Sequence, residues 1–334
     1  MYYYIRCYRV TIMTSKSIHT AFKFLARQHF LIFACSFILL INLIFYLNKW
    51  HYEFKYPNRH TKLLYLTARE NNTYNDVISA ANSFDIVISY YSESTDYVAQ
   101  YVRYLRNVAN LKKLRPRIIV YNKNSRINNQ VLKLLLDADI IQYLPNLGRE
   151  GATYLYHIVT NYHILANHTI FTQAGVEGLT GSGLADWYFD RLEYQFNSSV
   201  GYMPLVNSNM ITTYDCGTHR TGNFPRLVQI WSMLEQSLCP PGGQAVAFRG
   251  QFLVSNKRIK RRPLHIYKYI YELITANNSH WLHRDIRSLF FKSTPDNPIF
   301  GHTVERSWTI LFKCYQPDLY ERCQRRECAC FDES

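Results

Sequence analysis

The chain has 334 residues, of which 48% are hydrophobic, and its 38 Lys and Arg against 24 Asp and Glu give a formal net charge of +14. This length and apolar content suffice for one large α/β domain with an appendage, and the lack of repeats or low-complexity stretches excludes the fibrous and disordered classes. The positive charge favours an anionic partner, such as a nucleotide-linked donor, an acidic lipid or a nucleic acid.

A mostly apolar, uncharged stretch at residues 30–47 is long enough to cross a bilayer once. No small-residue cleavage site follows it, so we predict a retained anchor rather than a signal peptide. Lysines and arginines lie on both sides of the stretch, and the positive-inside bias therefore does not fix its orientation. The N-terminal part is predicted to comprise a short cytoplasmic tail (1–29), the anchor (30–47) and a polar stem (48–83).

Sequons and cysteines after the anchor favour a lumenal C-terminal part, which meets no nucleic acid. The sequon asparagines are Asn71, Asn167, Asn197 and Asn277. An even number of cysteines, which predicts disulfides, follows the anchor: Cys216, Cys239, Cys314, Cys323, Cys328 and Cys330. Disulfides are favoured over a zinc site near the C terminus, because paired Cys-x-x-Cys knuckles are missing. We therefore expect a single-pass type II membrane protein of the secretory pathway, most simply of the Golgi.

Beyond the stem, the pattern alternates between strands and helices. The predicted strands cover 85–93 (with a polar turn at the end), 117–123, 140–144 and 169–173, and the predicted helices cover 98–111, 129–136 and a segment that includes 154–164. This order predicts a mostly parallel, Rossmann-like sheet flanked by helices, with right-handed crossovers. The α/β domain is predicted over 84–312, followed by a Cys-rich tail over 313–334.

The unit from 140 to 173 is a strand, a polar turn, a helix and a second strand. Ligands of parallel α/β sheets bind outside the carboxyl ends of the strands. The residues expected at those ends are therefore candidate donor- or ligand-binding residues: Asn146, Gly148, Arg149, Glu150 and Gln173.

The same unit contains the pattern Asn146-x-Gly148-Arg149-Glu150-x-x-Thr153-Tyr154-Leu155-x-His157-Ile158. This pattern resembles the signature of an uncharacterised, mainly fungal family of domains of unknown function, which is distantly similar to GT-A glycosyltransferases. Asn-x-Gly-Arg followed by an acid and a helix also resembles capsule and rhamnan glycosyltransferases. Two further segments fit the resemblance: Gln251-Phe252-x-Val254-Ser255 and Glu305-Arg306-x-Trp308-x-x-x-Phe312.

The resemblance implies a GT-A-like fold and transfer of a sugar from an activated donor, such as a nucleotide sugar. In many such enzymes the first strand ends in Tyr-Asn-Glu, whose acid contacts the nucleotide. Here the tripeptide is Tyr91-Ser92-Glu93, so Glu93 is a candidate donor contact. The alternative is that Ser92 or Ser94 begins a helix with acids in its first turn.

Asp137-Ala138-Asp139 matches the Asp-x-Asp that holds a divalent metal in GT-A enzymes. It precedes a strand, however, and so is expected at the wrong edge of the sheet. After the strand at 169–172 the sequence offers one acid, Glu177, where a divalent ion needs two hard oxygen ligands close together. A divalent cofactor is therefore not expected, which indicates a metal-independent transferase, a different donor or no catalysis.

The C-terminal third has strand character at 244–255, then a basic run at 256–263 that either clamps a phosphorylated ligand or lies on the surface of a helix. A helix predicted to begin near Thr303 places Glu305 and Arg306 in its first turn. Inverting transfer needs a carboxylate at the acceptor hydroxyl. Glu305 is the first candidate for that base and His302 the second.

Arg306 or Arg149 would stabilise the departing phosphate. Alternatively, Glu305 and Arg306 form an ion pair that fixes the helix to the sheet. We expect a membrane-anchored, glycosyltransferase-like protein that acts on a glycan or protein acceptor. The alternative, favoured by the missing Asp-x-Asp, is a non-catalytic lumenal binding or scaffold protein that retains the fold.

Overall fold

The computed structural model describes residues 84–176, 188, 190–206, 211–214, 225–240, 242–284 and 292–333. The predicted cytoplasmic tail, anchor and stem lie outside these residues, as do Asn71 and Cys216. Within the described part, no helix combines the length and the apolar character needed to span a bilayer.

Among the described residues, seven strands form one mixed sheet in the order β3-β2-β1-β4-β8-β5-β9, and β6 and β7 form a small second sheet. The strand bounds are β1 (Phe84–Tyr90), β2 (Arg117–Asn122), β3 (Ile140–Tyr143), β4 (His168–Gln173), β5 (Val200–Pro204), β6 (Ile211–Tyr214), β7 (Gln244–Ala247), β8 (Phe252–Ser255) and β9 (Cys330–Phe331). The first four strands of the large sheet are parallel, and β8, β5 and β9 join antiparallel. The predicted α/β class with a mostly parallel sheet is confirmed.

Helices alternate with the parallel strands, as predicted. Their bounds are α1 (Thr95–Asn107), α2 (Ala109–Leu114), α3 (Asn129–Leu136), α4 (Arg149–Asn161), α5 (Pro225–Glu235), α6 (Asn256–Lys260), α7 (Leu264–Ile274), α8 (Ile299–Leu311) and α9 (Leu319–Gln324), with a π-helix at Asp190–Gln195 and a 3-10 turn at Trp281–His283. The single helix predicted over 98–111 is two helices, because Val108 has φ −57° and an extended ψ of 123°.

An aromatic core joins the sheet to α4 and α8. Phe171 of β4 and Phe252 of β8 have ring centroids 5.3 Å apart, and Trp308 of α8 lies 5.0 Å from Phe252. Tyr154 of α4 packs on Phe171 at 5.2 Å. All four side chains are buried, and burial of such a side chain contributes about 1.5–3 kcal/mol to stability. This core fixes both helices relative to the strand ends.

Two sequence predictions for the C-terminal third were wrong in detail. Residues 244–255 form two strands, β7 and β8, which belong to different sheets. The last long helix begins at Ile299, and Pro298 precedes it as an N-cap with an extended backbone. Glu305 therefore lies in the second turn of α8 rather than in the first.

The segment from 313 onward, predicted as a separate tail, supplies β9 at the edge of the large sheet. The predicted disulfides form there, between Cys314 and Cys330 and between Cys323 and Cys328. Cys239 is also disulfide-bonded.

Two arginines of the basic run 256–263 anchor this end of the molecule. Arg258 donates to Asp332 at 3.0 Å, with both side chains less than a tenth exposed. Arg262 donates to the carbonyls of Leu234 and Ile310, near the ends of α5 and α8, where helix carbonyls lack partners. Both interpretations of the run, a ligand clamp and a solvated helix face, were therefore wrong for Arg258 and Arg262.

Candidate functional site

The carboxyl ends of the parallel strands meet at one edge of the large sheet. The chain runs outward from β1 to β2 and β3, and it then returns to β4 on the other side of β1. Such a reversal opens a crevice above the strand ends, which is where ligands bind in open α/β sheets. The turns that follow β1, β3 and β4 carry the predicted ligand residues to this edge, which we call the cleft.

The turn between β3 and α4 has an unusual backbone. Gly148 and Arg149 both have left-handed φ, at +63° and +52°. Their N–H groups donate to the carbonyls of Pro295 (2.7 Å) and Asp296 (3.2 Å), in the loop that precedes α8. A Cβ on Gly148 would lie 2.6 Å from Cβ of Ala152, so only glycine fits. The turn is therefore joined directly to the segment that leads to His302 and Glu305.

Lys123, which directly follows β2, holds this turn in place through hydrogen bonds. Its ammonium donates to the carbonyl of Leu147 at 2.7 Å and to that of Arg149, and the residue is buried. Burial lowers the pKa of Lys123 to about 8, although the charge of Glu150 opposes this shift. Sequence analysis missed Lys123, because a lysine after a strand gives no signal of where its side chain will lie.

Arg149 and His302 meet across the cleft. Nη1 of Arg149 lies 3.3 Å from Nε2 and 3.4 Å from Nδ1 of His302. The His302 side chain is 41% exposed, so a ligand can reach this pair from solvent. Gly301 lies beside the arginine, and a Cβ there would be in ordinary van der Waals contact with Cδ of Arg149 at 3.5 Å.

Glu150 and Glu305 flank the loop between β7 and β8. A Cβ on Gly250 would lie 3.6 Å from Oε1 of Glu150 and 3.7 Å from Cγ of Glu305. The N–H of Arg249 donates to Oε1 of Glu305 at 2.9 Å, and Nε2 of Gln173 donates to the carbonyl of Arg249 at 2.9 Å. No motif quoted from the sequence includes Arg249 or Gly250, yet this loop connects Gln173 at the end of β4 to Glu305 on α8.

The two glutamates have shifted pKa values in opposite directions. Burial raises the pKa of Glu150, and the charge of Arg149 offsets this in part. Burial also acts to raise the pKa of Glu305, but hydrogen bonding from His302, the charge of Arg306 and the Arg249 N–H together lower it below its ordinary value. The two carboxyl groups of the cleft therefore differ in proton affinity, and that of Glu150 is the higher.

Glu93 lies at the end of β1, close to the end of β4. Its Oε2 accepts from the N–H groups of Tyr91 (2.8 Å) and Ser92 (3.0 Å). A Cβ on Gly175 would lie 3.4 Å from Cγ of Glu93, so the missing side chain there leaves space next to the acid. Asn146 lies half-buried in the turn before α4.

Arg306 does not extend into the cleft. Its side chain is buried, it donates to the carbonyl of His302 at 2.8 Å, and its guanidinium lies 4.6 Å from the centre of the Phe248 ring. It also lies 3.8 Å from Oε1 of Glu305. This arrangement corresponds to the ion-pair alternative, in which Arg306 supports Glu305 and fixes α8.

The second half of the signature lies in the core rather than in the cleft. Thr153 shares a hydrogen bond with Ser89 of β1 at 2.9 Å, and His157 contacts the Tyr121 hydroxyl at 3.0 Å. Burial, with a contribution from Arg117, lowers the pKa of His157 to about 3. The signature therefore combines a cleft turn with the face of α4 that packs on β1, β2 and β4.

Asp137 and Asp139 lie at the opposite edge, as the sequence predicted. Asp139 accepts from the N–H of Ile118 at 2.7 Å, and both acids pair with Arg106. Among the described residues, no group of three His, Cys, Asp or Glu side chains is placed to hold a metal ion.

A cavity of about 620 Å³ also lies at this opposite edge, lined by residues that include Lys113, Asn167, Asn197 and Lys257. This cavity is remote from the carboxyl ends of the strands and from the paired acid and base groups. We therefore place the functional site at the cleft.

Two predicted glycosylation sites have their sequons exposed. Oδ1 of Asn197 accepts from the hydroxyl of Ser199 at 2.6 Å, and Oδ1 of Asn277 accepts from that of Ser279 at 2.6 Å. Asn167 is exposed, but its Thr169 is fully buried in β4.

A family model described as "Protein of unknown function (DUF3431)" matches residues 87–331. The match runs from β1 to β9 and thus includes the large sheet and the cleft. No curated protein matches the chain.

Proposed function

The chain belongs to the DUF3431 family, and from the cleft we propose that it is a membrane-anchored, glycosyltransferase-like enzyme of the secretory pathway. It would transfer a sugar from an activated donor to a glycan or protein acceptor. The observation that carries this proposal is the convergence of Arg149 and Glu150 with His302 and Glu305 above the ends of β1 and β4. These segments come from distant parts of the chain.

The groups in the cleft have the chemistry that such a transfer requires. Glu305 is an ionised carboxylate held by the Arg249 N–H, and it would accept the proton of the acceptor hydroxyl. Arg149 is 31% exposed and projects a cation into the cleft, where it would stabilise charge on the leaving group. Glu93 and Gln173, at the strand ends, would contact the donor.

A donor panel tests the proposal. The purified full-length chain in detergent is incubated with each of a set of nucleotide sugars, lipid-phosphate sugars and aryl glycosides, and release of the leaving group is measured. We expect turnover of at least one donor, with a loss of about 10²-fold or more in Glu305→Gln. Glu272→Gln, on the exposed face of α7, is the matched control and should keep full activity.

A non-catalytic binding or scaffold role is the second candidate. It is favoured by one observation, namely that Oε1 of Glu305 already accepts a backbone hydrogen bond. A scaffold would bind a sugar or glycan without releasing a leaving group from any donor. Binding that raises the melting temperature, with no turnover across the whole panel, would support this role over transfer.

A further inference from the structure

The Glu150 and Glu305 side chains both approach Gly250, within 4 Å of where its Cβ would lie, but they differ in what surrounds them. Both side chains are nearly buried, with 12% and 10% of their surface exposed. Glu305 is held by an N–H donor at 2.9 Å and faces Nδ1 of His302 at 3.9 Å. Glu150 forms an ion pair with Nε of Arg149 at 3.5 Å, but its burial outweighs this pairing and raises its pKa. At Glu305 the hydrogen bonds and the neighbouring charges outweigh burial and lower the pKa.

A buried hydroxyl that feels the charge of both glutamates also bears on this pair. Tyr154 is fully buried, and its hydroxyl has no hydrogen-bond partner among the described residues. The charges of Glu150, Glu305 and Glu93 all act on this hydroxyl and, after burial, raise its pKa, so it remains a proton donor. Buried hydroxyls are normally satisfied by protein, water or ligand. A water or ligand oxygen would supply the missing partner of Tyr154.

We propose that Glu150 and Glu305 act as general acid and general base on two sides of one reacting centre, with Glu150 giving its proton to the oxygen that leaves the donor sugar. The proposal rests on the transfer function proposed above and deepens it. It adds a second catalytic residue, because the sequence assigned Glu150 to ligand binding alone. It also defines the class of donor.

The proposed reaction balances without a co-reactant. Glu305 takes the proton of the acceptor hydroxyl while the hydroxyl oxygen forms a bond to the anomeric carbon. The bond from that carbon to the leaving oxygen breaks, the electron pair stays on the oxygen, and the oxygen takes the proton of Glu150. Solvent then returns one proton from Glu305 to Glu150, and both groups regain their starting states.

The donor class follows from the charges around the pair. Lys123 is buried against two carbonyls, whereas Arg149 is 31% exposed and also contacts Glu150 and His302. A diphosphate would meet two carboxyl groups here, and it also leaves without a proton, because phosphates are largely ionised near neutral pH. The pair instead fits a donor whose leaving group is a weakly acidic oxygen, as in an O-glycoside.

A titration of the carboxyl groups tests the pair without requiring turnover. Infrared difference spectra of the full-length chain are recorded across pH 3–8 for the wild type, Glu150→Gln, Glu305→Gln and the control Glu272→Gln. We expect the signal lost in Glu150→Gln to titrate above 4.5, the ordinary value for glutamate, and the signal lost in Glu305→Gln to titrate below it. Equal midpoints, or the reverse order, would overturn the proposal.

A leaving-group series tests the role of Glu150 in turnover. The probes are aryl glycosides with phenols of graded acidity and the corresponding glycosyl fluorides, whose leaving group needs no proton. In Glu150→Gln we expect about a 10²-fold loss or more on the least acidic phenol and little change on the fluoride, whereas Glu305→Gln should slow all of them alike. A uniform loss in Glu150→Gln would overturn its role as an acid. If the wild type turns over no donor, the transfer function itself fails, even where the titration shows the expected order.

Discussion

Arg149 and His302 are 153 positions apart in the sequence, yet Nη1 of the arginine lies 3.3 Å from Nε2 of the histidine. The contact joins the first residue of α4 to the first turn of α8. Both helices pack on the aromatic core that includes Trp308 and Phe252. The cleft is therefore built by the packing of two helices on one sheet, and a change in that packing would alter the site.

We predict that Gly148→Ala causes a large loss of stability, because of the turn in which Gly148 lies. The new Cβ would meet Cβ of Ala152 at 2.6 Å and the carbonyl oxygen of Ile274 at 2.9 Å, at a φ of +63°. We expect the free energy of unfolding to fall by at least about 2 kcal/mol in urea titrations. Gly242→Ala is the matched control, because φ is +84° but no described atom lies within 4 Å. Equal losses in the two variants would contradict a steric role for Gly148.

The buried imidazole of His157 predicts a dependence of stability on pH. Burial lowers its pKa to about 3 in the folded chain from an ordinary 6.5, so below pH 6.5 the unfolded chain binds a proton that the folded chain does not. The contribution of His157 to the free energy of unfolding should therefore be fully present above pH 6.5. It should decrease toward pH 3 by about 1.4 kcal/mol per pH unit. His157→Gln should flatten that part of the profile in denaturant titrations. A parallel profile in the variant would show that His157 is not the cause.

The disulfides of the C-terminal segment predict unequal contributions to stability. Cys314–Cys330 closes a loop with a sequence separation of 16, and Cys323–Cys328 one of 5. The chain-entropy model predicts that replacing the first pair of cysteines with serines lowers the free energy of unfolding by about 3 kcal/mol. The same change in the second pair should lower it by about 2 kcal/mol. Denaturant titrations under non-reducing conditions measure both. A larger loss for the short loop would contradict the entropic explanation.

Glycosylation at Asn197 and Asn277 is predicted by the exposed sequons. Treatment of the expressed full-length protein with a deglycosylating enzyme should increase its electrophoretic mobility. Asn197→Gln and Asn277→Gln should each remove part of that shift. An unchanged mobility of the wild type after treatment would contradict a lumenal location of the C-terminal part.

Local pattern sufficed to predict the parallel half of the fold. The strand at 117–123 and the helix at 129–136 follow from apolar periodicity, and Asn128 begins α3 by accepting from the N–H of Gln130 at 2.7 Å. The edge strand β9 could not be predicted, because these two residues acquire their place from the Cys314–Cys330 disulfide and the Arg258–Asp332 pair. Those contacts are long-range and leave no periodic signal.

The site was predictable where it depends on strand ends and unpredictable where it depends on loops. Arg149, Glu150 and Gln173 lie where the strand-end rule put them. Gly250 can lie close to both glutamates because it is in a loop between two separate strands, β7 and β8. The continuous apolar pattern at 244–255 gave no sign of that loop. Arg306 was assigned a possible role at the leaving group, yet it stacks on Phe248, because charge alone does not reveal an aromatic partner.

The most direct test of a single cleft is a double-mutant cycle with Arg149→Ala and Glu305→Gln, measured as kcat/KM on whichever donor the wild type uses. If the two residues serve one reacting centre, the double variant should lose little more activity than the worse single variant. Losses that multiply in the double variant would show two independent sites and would contradict the account.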